Sequence, residues 1–78
     1  MFLMASDQVE TLKNELTKII GPIGKFIIEK QITAMGYEEN GFPQDKMPEL
    51  IDRVVDIGVY DKQMSKNIKQ RLKSAVVA

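Results

Sequence analysis

Apolar residues recur at three- and four-residue steps through most of the chain, which is the signature of one-sided helices. Val9, Leu12, Leu16, Ile19 and Ile20 form one such face, with Glu10, Lys13, Asn14, Glu15 and Lys18 on the remaining, solvated side. The spacing predicts a helix over 7–20, with Asp7 as its cap and Glu10 completing a capping box. Ile23, Phe26, Ile27, Ile28, Ile32 and Met35 continue the period, which predicts a second helix over 22–35. The run Phe26-Ile27-Ile28 widens its stripe and implies contact with more than one neighbour. Met47, Leu50, Ile51, Val54 and Val55 fit a core-facing template over 46–57, with Asp45 as cap and Pro48 in the first turn, where its missing N–H has no helical partner. Met64, Ile68, Leu72, Ala75 and Val76 form a narrower stripe over 62–77, capped by Asp61.

The polar and small residues between these stretches read as corners. Gly21 is suited to a left-handed helix end and Pro22 to a first helical position. Gly24 has no side chain, so a second helix can approach it closely. Gly36 and Gly58 close the second and third helices. Residues 37–44 form a loop with the turn residues Asn40, Gly41 and Pro43, from which Phe42 is expected to reach into the core. The expected fold is all-α: a compact small bundle of four helices forming a single domain over 6–78, preceded by a flexible segment over 1–5.

Composition narrows the chemistry. At 78 residues, 44% hydrophobic and 28% charged, the chain has the make-up of one small globular domain, able to bury a modest core. It holds neither Cys nor His, so disulfides, thiolate nucleophiles and the commonest neutral-pH base are excluded. No apolar run approaches the roughly 20 residues of a membrane span, and residues 1–5 are too short for a signal-peptide core. A cytoplasmic protein without membrane contact is expected. The acidic loop with Glu38, Glu39, Asn40 and Asp45 lacks the order of a calcium loop, so no metal is expected. No cofactor, small-molecule substrate or catalytic residue is expected either. Carboxylate pairs such as Glu49 and Asp52 are ordinary features of helix surfaces.

The net charge is zero, yet residues 62–78 carry five bases and no acid, which the rest of the chain balances with an equal acidic excess. Lys62, Lys66, Lys69 and Lys73 lie four, three and four apart, so at about 100° per residue they stand in one stripe. Three uses of this stripe compete. It is a solvated face matched internally by Glu49, Asp52 and Asp56. It meets an acidic protein, with Met64, Ile68 and Leu72, joined by Phe2, Leu3 and Met4, as an apolar docking patch. Or it tracks nucleic-acid phosphates. The zero net charge, the single arginine beside the lysines and the lack of an aromatic among them weigh against the last.

The corner Ile20-Gly21-Pro22-Ile23-Gly24, followed by the helix from Lys25 to Met35 and a second acid-capped helix, resembles a small helical module with an "IGPIA"-like signature at a helix corner. Such modules occur as C-terminal or stand-alone segments of prokaryotic signalling proteins, including some serine/threonine kinases, and in uncharacterised small proteins. The likeness spans residues 12–72, with Gly24 standing where Ala is more usual. The resemblance implies an accessory interaction domain with no catalytic residue. The leading expectation is therefore a non-catalytic protein-interaction or oligomerisation module of prokaryotic signalling, binding another protein or itself as a homodimer. A small nucleic-acid-binding protein is the alternative.

Overall fold

The computed structural model describes residues 6–76, and four helices account for most of them: α1 (Ser6–Ile20), α2 (Ile23–Ala34), α3 (Met47–Gly58) and α4 (Lys62–Val76). The loop between α2 and α3 holds two short 3₁₀ turns, Glu39–Gly41 and Gln44–Lys46. The expected flexible segment over 1–5, and with it Phe2, Leu3 and Met4, lies outside the described residues.

Each helix end has a local cause. Gly21 adopts φ +90° and its N–H donates to the Thr17 carbonyl at 2.9 Å, so one left-handed residue stops α1. Gly36 lies at φ +88°, and its N–H donates to the Thr33 carbonyl while the Tyr37 N–H donates to the Ile32 carbonyl, the pair of hydrogen bonds of a Schellman end. Asp61 caps α4, its carboxylate accepting the Met64 N–H at 2.9 Å. Two of the expected caps do not form. Asp45 sits inside a 3₁₀ turn, and α3 begins after Lys46 with no side-chain cap, Pro48 being accommodated in the first turn. Asp7 is already helical, one residue after Ser6, and serves as an acid in the first turn facing the positive end of the helix dipole.

Antiparallel neighbours follow from the paired positions. A Cβ on Gly24 would stand 3.2 Å from the backbone of Leu16 and Thr17, so α2 leaves the corner pressed against α1. Arg53 reaches Gln31 across α2 and α3, and Lys69 and Lys73 reach Asp56 and Asp52 across α3 and α4. The chain runs up, down, up and down. Both short corners, Gly21-Pro22 and Val59 to Asp61, therefore share one end of the bundle. They meet at Gly58, where a Cβ would come within 2.8 Å of the Ile20 Cδ1. Gly58 is the last residue of α3 without a left-handed φ, so its lack of a side chain makes room for Ile20 rather than turning the chain.

The core takes Val9, Leu12 and Leu16 from α1, Ile28 and Ile32 from α2, all five expected positions of α3, and Ile68, Leu72 and Val76 from α4. Phe42 is fully buried and meets Tyr37 edge to face, with ring centres 5.5 Å apart. Three expectations are corrected. Ile23 and Phe26 are exposed, because α2 buries a stripe narrower than its apolar run. Lys13 is buried at 8% exposure, since Glu29 and Glu39 receive its ammonium and its stem packs beneath them. Ser65 is buried in α4, where Met64 is not.

Candidate functional site

The lysine stripe was the main sequence candidate, and the structure divides it in two. Lys69 binds Asp56 at 2.7 Å and Lys73 binds Asp52 at 3.0 Å, so the lower half is matched internally by α3. The bond to Asp56 raises the Lys69 pKa above its ordinary value; burial opposes this, and the charges of Asp56 and Asp52 reinforce it. Glu49 takes no part, lying instead 3.4 Å from Arg53 on its own helix.

Lys62 and Lys66 are exposed, and no carboxylate among the described residues lies within ion-pair distance of either. The reason is topological. The acidic strip of α3 advances by four residues from Asp52 to Asp56, and the next position on that spacing is Tyr60, beyond the helix end. Asp61, the nearest remaining acid in sequence, is occupied in capping α4. Lys62, Ser65, Lys66 and Lys69 of α4, Val59 and Tyr60 of the corner and Asp56 of α3, itself paired with Lys69, thus line an open groove. Tyr60 is 93% exposed.

The proposed apolar patch of α4 does not exist as expected. Ile68 and Leu72 are core residues, and of the three only Met64 is exposed. The structural corner Gly21, Pro22, Ile23 and Gly24 behaves as expected at Gly21 and Gly24, while Ile23 points outward. In place of the expected patch, five large apolar side chains are exposed among the described residues: Ile23, Phe26, Ile57, Tyr60 and Met64. Every one lies within one helical turn of the two corners, and the corners share an end. Periodicity missed Ile57 and Tyr60 because it assigns faces, not ends. The available signal was an aromatic residue between a helix-closing glycine and a helix-capping aspartate, where neither neighbour can cover it.

No group of three or more metal-ligating side chains occurs among the described residues, and no described helix is long and apolar enough to cross a membrane. Residues 7–76 match a family described as a domain of unknown function, DUF8082, and the chain belongs to that family. The match spans all four helices. No curated protein and no solved structure matches the chain.

Proposed function

We propose that this DUF8082 domain is a non-catalytic protein-interaction module that docks another protein on the end of the bundle where its two corners meet. The observation that carries the reading is that Ile23, Phe26, Ile57, Tyr60 and Met64, all exposed, lie on or next to the two corners that share that end. Single exposed apolar residues are ordinary on any protein. Five at one end, in a chain with so small a core, are apolar surface that burial on docking would stabilise. Phe26 and Tyr60 are the anchors, since aromatic side chains supply much contact area for few rotatable bonds. The absence of Cys and His from the sequence supports a role without nucleophilic or general-base chemistry. The resemblance of the Ile20 to Gly24 corner to modules of prokaryotic signalling proteins supports a cytoplasmic regulatory setting. Phosphate tracking is disfavoured by the engagement of Lys69 and Lys73 with α3, which leaves a short cationic footprint.

The test is affinity capture from lysate of the source cell with the wild-type domain and with Phe26→Ser/Tyr60→Ser/Met64→Ser. The variant should keep its helical circular dichroism, because all three side chains are exposed. Capture that survives high salt and nuclease, and is lost in the variant, is the expected result. Capture unaffected by the three substitutions, or abolished by nuclease, would refute it.

A further inference from the structure

Resting on that reading, we infer that the partner presents an acidic segment, which lies in the α3–α4 groove with its carboxylates on Lys62 and Lys66 and an apolar side chain on Tyr60. The argument is charge complementarity along an interrupted ladder. Asp52 with Lys73 and Asp56 with Lys69 form two successive rungs between α3 and α4. The lysines continue for two more positions, and the carboxylates stop because α3 stops. A segment with two carboxylates four residues apart on a helix supplies the missing rungs at the spacing that Asp52 and Asp56 already use. Tyr60, on that same spacing and almost wholly exposed, offers the apolar contact between them and the bundle. Ser65 lies buried beneath, so the groove floor is fixed by the fold.

A second copy of the chain fits this surface poorly. A two-fold contact centred on Lys62 and Lys66 would set these lysines against their own symmetry mates. The acids of the corner are already engaged, Asp56 by Lys69 and Asp61 by the N–H of Met64. The charges therefore select an unlike, acidic partner and speed its encounter, while the apolar end supplies the hold.

The experiment uses four probes against the ¹⁵N-labelled full chain: a synthetic helical peptide with Glu four residues apart and Leu between them, the same peptide with Lys for Glu, a single-stranded oligonucleotide, and phosphatidylcholine vesicles containing phosphatidylserine. The Glu peptide alone should bind and shift the amides of Tyr60, Lys62, Ser65 and Lys66. Lys62→Glu/Lys66→Glu should weaken it by about tenfold or more. Binding of the Glu peptide that survives this double change, with shifts at Ile23 and Phe26, would overturn the acidic groove and leave the apolar end standing. The same holds if the Glu peptide fails to bind at about 1 mM while lysate capture still depends on Phe26, Tyr60 and Met64. Preferential binding of the oligonucleotide or the vesicles would overturn both. A wild-type dimer disrupted by the double lysine change would assign the groove to a second copy instead.

Discussion

Lys13 offers a sharp test of how the bundle is held, because it ties three parts of the chain through one buried cation. Its ammonium lies 3.5 Å from Glu29 on α2 and is bonded to Glu39 in the loop, with its own side chain 10% exposed and the two carboxylates 46% and 40% exposed. At 3.5 Å and an effective dielectric constant near 20, one such pair has a gross attraction of about 5 kcal/mol. Most of this is offset by desolvating the ammonium, which costs several kcal/mol. The carboxylates keep much of their water, so removing the cation leaves them re-solvated rather than stranded. Lys13→Met retains the packed stem. The expected loss is therefore about 1–2 kcal/mol, nearer an exposed pair than a fully buried one. Urea unfolding followed by far-ultraviolet circular dichroism measures it, and a double-mutant cycle with Glu39→Gln should give a coupling of about 0.5–1 kcal/mol. The pH dependence is a second reading. Burial works to lower the Lys13 pKa, but the bond to Glu39 and the charges of Glu39 and Glu29 together prevail and raise it. The folded state thus holds this proton more tightly than the unfolded chain does. Its contribution is complete below the unfolded lysine pKa of about 10.4 and is lost as pH rises through the higher folded value. The stability difference between wild type and Lys13→Met should shrink over that alkaline range. A variant as stable as wild type, with zero coupling to Glu39, would refute the reasoning by showing that desolvation cancels the attraction.

Three further outcomes follow from the corners and the last helix. Gly21→Ala meets no atom within 4 Å, so its cost is that of the left-handed backbone alone, about 1–2 kcal/mol, and an unchanged urea midpoint would contradict the φ of +90°. Asp61→Ala removes the cap on the Met64 N–H and should lower stability by about 1 kcal/mol, with Asp61→Asn recovering most of it in the same assay. Ile68→Ala should cost about 2–4 kcal/mol and Met64→Ala less than about 0.5 kcal/mol, since the first is core and the second exposed; equal losses would mean that α4 is rotated from the orientation described.

Much of the fold was legible because helix faces leave a periodic trace. The five apolar positions of α3 are all buried, and Gly21, Gly36 and Asp61 end or start helices by the mechanisms their residue types suggest. Phe42 also fills the core as a loop aromatic should. The misses share a cause: they depend on what a third element supplies. Lys13 looks solvated within its own helix, and is buried because Glu39 arrives from a loop 26 residues later. Ile23 and Phe26 look like core, and are exposed because the neighbouring helices cover a stripe of α2 narrower than its apolar run. Gly58 closes α3 as expected, but the reason for its missing side chain, the space that Ile20 occupies, comes from α1.

The lysine stripe shows the same limit at the level of function. Its spacing is a property of α4 alone, and on that spacing the four lysines are equivalent. Their difference is set by α3, which carries carboxylates opposite Lys69 and Lys73 and ends before it can oppose Lys62 and Lys66. Had α3 been one turn longer with an acid at the position of Tyr60, the stripe would have been closed internally. Tyr60→Glu supplies the missing carboxylate in the groove's own wall, next to Lys62 and Lys66. If the open rungs await a partner's acids, this substitution should compete with the Glu-bearing peptide and weaken it by about tenfold, with helical content unchanged, because it replaces an exposed side chain. If Tyr60→Glu weakens the peptide well beyond Tyr60→Gln, which loses the aromatic contact equally, the groove is being filled from within. If both bind as wild type does, Lys62 and Lys66 are solvated ends of a structural ladder, and the apolar end alone carries the docking.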